Sequence, residues 1–325
     1  MKQFLASACA ALALVLFVIA QSLSALAGPK VVVSIKPVHS LVSAIMNGVD
    51  EPALIMEGAQ SPHTFSLQPS SAKSLQNADL VFWVGPLLET ALTKPLTSIA
   101  SKATKVGLMK SSGIQQLPFG EEGHSHEHDG HEHDEHGHDD DKKESDEHHP
   151  KHAGNFDPHI WLDPENGKAM AVAIAKTLIE ADGQNREIYE RNLAELTAKL
   201  DTLSANISEK LQTYRNSRFV VFHAAYGHFE KRFGLKAPVV IGHNPEVAPG
   251  ARRLREIQAE IARRKVKCVF SEPQFNPAFM RALESDSSVQ MGVLDPLGQA
   301  FDAGPDHYFQ TLNALADSLV ECFSR

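Results

Sequence analysis

Short apolar runs alternate with helical periodicities along much of this 325-residue chain. Amphipathic stretches at 41–47 and 70–76 lie among β-branched runs at 31–35, 54–56, 79–84 and 105–108. The alternation returns with the runs 219–222, 238–241, 266–270 and 290–294. Strands that alternate with helices predict mostly parallel sheets with helices on them. The pattern therefore predicts an α/β fold with two lobes.

One long amphipathic helix is predicted between the lobes. Apolar residues recur there at spacings of three and four, without Gly or Pro: Tyr189, Leu193, Leu196, Leu200, Leu203, Ile207, Leu211 and Tyr214. A free-standing coiled coil would show the same stripe, but a helix packed on both lobes suits this position better. We predict an N-terminal lobe at 28–183, a linker helix at 184–216 and a C-terminal lobe at 217–325, each lobe with a substantial core.

The first 27 residues have the pattern of a cleaved secretory signal. Lys2 precedes an apolar run from Phe4 to Ala20, and the small-residue triplet 25–27 follows. An uncleaved membrane anchor is the alternative, although the run is short for a bilayer span; a lipidated Cys9 fits less well. Export predicts a periplasmic protein in an oxidising compartment, where Cys268 and Cys322 would form a disulfide. Two buried thiols are the other interpretation.

The segment 120–154 has almost no apolar residues, and its composition predicts a disordered loop inside the first lobe. Residues 121–149 carry 13 Asp and Glu against two Lys, so most of the formal charge of −9 lies there. The rest of the mature chain is close to neutral, which argues against nucleic-acid binding. We expect weak zinc collection by the loop, with a solvated spacer as the alternative. Its histidines are His124, His126, His128, His131, His133, His136, His138, His148, His149 and His152.

Four residues outside this loop are candidate metal ligands. His63 follows the second predicted strand, His159 lies between two Asp-Pro pairs, and His223 and Asp295 each end a predicted strand. The carboxyl ends of parallel strands meet at one crevice, so facing lobes would bring these side chains together. Three imidazoles and one carboxylate suit Zn²⁺ better than Mn²⁺ or Ca²⁺, which favour more oxygen ligands.

Several motifs resemble those of the metal-specific solute-binding proteins of bacterial ABC importers (cluster A-I), and most closely the ZnuA-like zinc-specific group. The motifs are Ser34-Ile35-Lys36-Pro37-Val38-His39, Ser61-Pro62-His63, Leu75-Gln76-Asn77-Ala78-Asp79-Leu80, Asp157-Pro158-His159-Ile160-Trp161-Leu162, Val221-Phe222-His223-Ala224-Ala225-Tyr226 and Leu294-Asp295-Pro296-Leu297. They cover essentially the whole mature chain.

The resemblance implies two Rossmann-like (βα)4 lobes joined by a rigid helix, with one tight zinc site at their interface. It implies that His63, His159 and His223 are the ligands, with Asp295 at the fourth position. It also supports the cysteine pairing. The partners it implies are a membrane permease and its cytoplasmic ATPase; we further expect a monomer, and a periplasmic zinc chaperone is a candidate partner.

Two other functions fit parts of the sequence less well. A zinc hydrolase would use a three-histidine site, but it also needs a general base, and no motif supplies one. A surface adhesin is the other, less attractive without a lipid-anchor cysteine. We expect His39 to cap or pack, and His228, His243 and His307 to be surface or supporting groups. Glu272 and Trp161 are expected to border the crevice without binding metal.

Overall fold

Two four-stranded parallel sheets form the frame of the protein. The computed structural model describes residues 28–58, 60–119, 156–242, 250–275 and 289–325. The first sheet has the order β2-β1-β3-β4 and is built from β1 (Val31–Val33), β2 (Ala53–Leu54), β3 (Leu80–Trp83) and β4 (Thr104–Gly107). The second has the order β6-β5-β7-β8 and is built from β5 (Phe219–His223), β6 (Val239–Gly242), β7 (Cys268–Ser271) and β8 (Gln290–Val293). Every adjacent pair of strands is parallel, which confirms the predicted fold class.

Helices cover both sheets, as the amphipathic stretches predict. Within the described residues the α-helices are, in chain order, α1 (Lys36–Met46), α2 (Pro69–Gln76), α3 (Thr93–Ser98), α4 (Pro164–Ala181), α5 (Arg186–Leu211), α6 (Gly227–Phe233), α7 (Ala251–Arg264) and α8 (His307–Ser324). Pro37, Pro69 and Pro164 lie in the first turns of α1, α2 and α4, where a missing backbone N–H costs nothing. None of the helices in the described ranges has the length and apolar character that crossing a bilayer requires.

The long central helix is α5. Its 26 residues span roughly 39 Å, and short 3₁₀ turns at 183–185 and 212–214 flank it. Most of the predicted apolar stripe is buried. Asn192 is also buried in this seam, where its Nδ2 donates to the carbonyl oxygens of Ile45 and Asn47 at 2.8 and 2.9 Å. The central helix thereby satisfies carbonyls that end α1, which ties it to the first lobe.

The main core is continuous across both lobes rather than divided between them. One cluster of buried side chains includes Val33 and Phe82 of the first sheet, Leu200 of α5 and Phe270 of the second sheet. A smaller cluster, which includes Ile257 of α7, packs on the second sheet alone. The substantial core expected in each lobe is therefore largely shared between the two lobes. The boundaries at 28–183, 184–216 and 217–325 stay predictions.

The two cysteines of the C-terminal lobe form a disulfide. Cys268, the first residue of β7, bonds to Cys322 near the end of α8, with their Cα atoms 6.0 Å apart. This confirms the predicted pairing and fixes the last helix on the second sheet. The proposed signal at 1–27, the histidine-rich loop and His243 lie outside the described residues.

Candidate metal centre

Three imidazoles from distant parts of the chain meet between the lobes. His63 lies in the turn that follows β2, His159 directly precedes a 3₁₀ turn at 160–162, and His223 ends β5. One nitrogen from each lies within 4.8 Å of the others. His159 and His223 are 3% and 4% exposed, whereas His63 is half-buried. Among the described residues, this is the one group of three or more ligand-type side chains close enough to share an ion.

The position of His223 follows from the order of the second sheet. Strand β5 lies between β6 and β7, and the chain connects outward on both sides of it, so the crevice opens at the carboxyl ends of β5 and β7. His223 is the last residue of β5, and Glu272 directly follows β7. The topology therefore places an imidazole and a carboxylate side by side.

His159 lies on a less extended segment than its two flanking Asp-Pro pairs predict. Its backbone has φ −80° and ψ 43°, and a single 3₁₀ turn follows before α4. Contacts from the second lobe anchor this segment: Tyr308 Oη donates to the Trp161 carbonyl at 2.6 Å, and Trp161 Nε1 donates to the Pro296 carbonyl at 2.7 Å. Arg232 of α6 also forms a bidentate ion pair with the buried Asp163, with distances of 2.5 and 2.9 Å.

Carboxylates fix the orientation of two of the imidazoles. His159 Nδ1 donates to Asp157 Oδ1 at 2.7 Å, and His223 Nδ1 donates to Glu272 Oε1 at 2.7 Å. An ionised carboxylate only accepts hydrogen bonds, so each Nδ1 carries the proton and each Nε2 presents a lone pair. Carboxylates in this position commonly orient metal-binding histidines and make them more basic.

The two Nε2 atoms lie close together. His223 Nε2 lies 3.4 Å from His159 Nε2. Neutral imidazoles protonated on Nδ1 have no proton to share across that gap, so the contact is unfavourable unless a cation lies nearby. Two nitrogens bound to a tetrahedral zinc ion at 2.0–2.1 Å would be about 3.3–3.4 Å apart. The observed separation fits such an ion.

The third imidazole, His63, is also suited to bind metal in its neutral form. Burial, followed by the neighbouring His159 and His223, lowers the pKa of His63 to about 3. Its ring centroid lies 5.5 Å from that of His159 and 5.9 Å from that of His223. Metal binding at this position therefore needs no proton release at neutral pH.

A buried hydrogen-bond network that contains His228 and Asn166 holds Asp157 in place. Burial alone would raise the pKa of Asp157, but His159 and His228 together outweigh burial and hold this pKa below its usual value. The Asp157 carbonyl is 3.2 Å from His228 Nε2, and Asn166 Nδ2 is 3.3 Å from His228 Nδ1. Burial lowers the pKa of His228, which keeps the ring neutral. We infer that His228 donates to the carbonyl and accepts from Asn166.

The structure does not bring Asp295 into the three-histidine cluster. Its Oδ1 accepts from Gln274 Nε2 at 2.8 Å and from the Leu297 N–H at 3.1 Å, and its Oδ2 accepts from the Gln299 N–H at 2.5 Å. The carboxylate therefore organises the turn that follows β8. Its assignment as a fourth ligand stays a prediction.

The other candidate histidines lie outside the cluster. His39 packs in α1 with Nε2 2.9 Å from the Pro52 carbonyl, and His307 is buried with Nε2 3.0 Å from the Gly298 carbonyl. His228 and His307 are both 1% exposed, so of the two expected places, at the surface or as supporting groups, the surface does not apply to them, and the supporting role fits His228. Trp161 does border the site, since its ring centroid lies 5.3 Å from that of His159.

Sequence reasoning missed the role of Asp157 and underused Glu272. In the sequence Asp157 stands out only as part of an Asp-Pro pair, although its place two residues before His159 puts a carboxylate within reach of that ring. Glu272 was expected to border the crevice without binding metal. The structure adds that it holds the His223 ring.

We expect a Glu272→Gln variant to bind zinc about tenfold more weakly, because a neutral amide no longer raises the basicity of His223. Competition with a chromophoric chelator measures the change. Glu190→Gln, on the exposed surface of α5, is the matched control and should bind as the unaltered protein does. Equal zinc affinity in both variants would show that Glu272 does not contribute to zinc binding.

Comparison with known proteins agrees with this geometry. A family model described as ZnuA, "Zinc-uptake complex component A periplasmic", matches residues 31–322. The chain is 44% identical over 315 residues to the high-affinity zinc uptake system protein ZnuA of Brucella suis, covering 93% of this chain and 94% of the relative. It is 37% identical over 309 residues to the corresponding Yersinia pestis protein, covering 91% and 92% of the two chains. A crystal structure of ZnuA with 24% identity superposes with a TM-score of 0.74 over 91% of this chain and 99% of that one, which shows the fold.

Proposed function

Because this chain belongs to the ZnuA family of periplasmic zinc-uptake components, we propose that it binds one Zn²⁺ tightly between its lobes, with His63, His159 and His223 as the ligands. The facing Nε2 atoms of His159 and His223, 3.4 Å apart with both Nδ1 atoms held by carboxylates, are the observation that carries this proposal. A solvent molecule completes the tetrahedral shell, since both oxygens of Asp295 already accept hydrogen bonds.

Members of this family are transport components rather than enzymes, and the hydrolase alternative has no support. The protein works as the substrate-binding component of a zinc ABC importer, with a permease and an ATPase as its partners. Binding in the nanomolar range or tighter corresponds to about 12 kcal/mol or more and would allow capture of scarce zinc. Release then takes place when docking on the permease displaces a ligand-bearing loop.

We further propose that residues 1–27 are a signal peptide removed on export, and that the mature chain acts as a monomer. The histidine-rich loop collects zinc weakly beside the central site, and its acidic character makes it a docking point for a periplasmic zinc chaperone. The composition of the loop supports its part in this proposal: ten histidines lie among 13 acidic residues there.

Metal analysis of untagged protein purified without chelators tests the central site. A variant that lacks residues 121–149 is expected to retain close to one zinc per chain, because all three proposed ligands remain. Protein that carries manganese instead of zinc, or no metal after exposure to equimolar zinc, would contradict the assignment.

The loop is expected to add zinc binding that depends steeply on pH. Imidazole must be neutral to bind metal, and the unperturbed pKa of histidine is about 6.5. Calorimetric titration at pH 7.5 should show weak binding in addition to the tight site in the full chain, and the tight site alone in the variant without 121–149. Below about pH 6 the additional binding should disappear. If the two proteins gave identical isotherms at pH 7.5, the loop would be a spacer.

A further inference from the structure

Among the described residues, one side chain donates to the Asp295 carboxylate. Three described donors reach it: two are backbone N–H groups of the turn after β8, and the third is the Nε2 of Gln274. The two N–H groups belong to the same turn as Asp295. Gln274 is therefore the one described donor that holds the carboxylate from outside this turn.

Asp295 lies at the edge of the metal centre. The carbonyl of Leu294 before it accepts from Tyr226 Oη at 3.2 Å, and the carbonyl of Pro296 after it accepts from Trp161 Nε1 at 2.7 Å. The Trp161 ring in turn borders His159. A carboxylate next to a cation is drawn towards it unless other donors satisfy its oxygens.

The amide of Gln274 has a defined direction. It follows β7 two residues after Glu272, so one loop both orients His223 and holds Asp295. Within the described residues its Oε1 is buried without a hydrogen-bond partner. If the amide were flipped, its oxygen would face the carboxylate of Asp295, and both groups can only accept hydrogen bonds. The amide is therefore held with its N–H group towards Asp295.

We propose that Gln274 is a specificity-determining residue, which holds the Asp295 carboxylate away from the bound ion and so keeps the protein ligands to three nitrogens. An all-imidazole set favours Zn²⁺, whereas an added carboxylate favours Mn²⁺. This inference rests on the proposed zinc site and concerns its selectivity. Removal of the Gln274 amide leaves the 3.1 Å bond from the Leu297 N–H as the one described hydrogen bond to Asp295 Oδ1, so this oxygen can turn towards the ion more easily.

A Gln274→Met variant removes the donor and keeps a side chain of similar length. We expect its affinity for Mn²⁺ to rise at least tenfold, with a smaller change in the affinity for Zn²⁺, as measured by competition titration of each metal separately. Gln116→Met is the matched control, since Gln116 Nε2 donates to the Met109 carbonyl in the first lobe, away from Asp295. The control should keep the zinc-to-manganese ratio of the unaltered protein.

The double variant Gln274→Met with Asp295→Asn tests whether the effect runs through the carboxylate. An amide at position 295 is a poorer ligand for Mn²⁺, so the gain in manganese affinity should disappear. A selectivity ratio within twofold of the unaltered protein in Gln274→Met, or a gain that persists in the double variant, would overturn the proposal. Absence of a tight zinc site in the unaltered protein would instead count against the proposed function.

Discussion

A His223→Glu variant is expected to bind zinc at least about a hundredfold more weakly than the unaltered protein. The substitution removes one of three nitrogen ligands, and it also leaves Glu272 without the Nδ1–H that it now binds at 2.7 Å. Loss of an orienting group alone commonly weakens metal binding 10- to 100-fold, so loss of a ligand together with its partner should cost more. Carboxylates suit Mn²⁺ better than imidazoles do, so the preference for zinc over manganese should narrow as well.

His223→Gln separates the two effects of this substitution. It removes the imidazole without adding a carboxylate, so zinc affinity should fall while manganese affinity gains nothing. Thermal unfolding of the metal-free variants establishes that both fold. Unchanged selectivity in His223→Glu would mean that this residue does not bind the ion.

The second large effect is expected from the disulfide. Replacing both Cys268 and Cys322 with Ser should lower the free energy of unfolding by about 4 kcal/mol in the chain-entropy model, because the bond closes a loop with a sequence separation of 54 residues. Urea unfolding of metal-free protein at neutral pH measures the difference. Zinc affinity should change little, because Cys268 lies at the amino end of β7 and the metal centre lies at the carboxyl ends of the strands.

Reduction of the unaltered protein provides the control for this experiment. Dithiothreitol should lower its stability by a similar amount and have no effect on the double Ser variant. A loss of less than about 1 kcal/mol would show that the unfolded chain is already compact near these residues, so that the bond restricts it little.

The sequence predicted the sheets well because parallel strands are buried on both faces. Val31–Val33 and Phe219–His223 are buried throughout, so they read as continuous apolar runs. Prediction was poorer at the ends of strands: the run 54–56 corresponds to a two-residue strand, Ala53–Leu54. The apolar run continues past the last residue of the strand, because Ile55 and Met56 still pack in the core and still donate backbone hydrogen bonds to Val33 and Ser34.

The convergence of the histidines could be predicted from the sequence, but the side chains that orient their rings could not. Strand order fixes where β5 ends, so the placement of His223 follows from topology. The partners of each ring depend on loop conformations, which carry no periodic signal. Gln274 and Asp157 are examples, since each acts through one side-chain contact formed only after the loops have folded.

The anchored segment that carries His159 has a consequence for how the ion leaves. Although residues 157–163 precede the central helix, Arg232, Tyr308 and His228 of the C-terminal half hold them. Separation of the halves would leave the buried Asp163 carboxylate without its Arg232 partner, which is unfavourable. His159 and His223 should therefore move as one unit, and the turn that bears His63 is the ligand-bearing segment that we expect to move when the ion leaves.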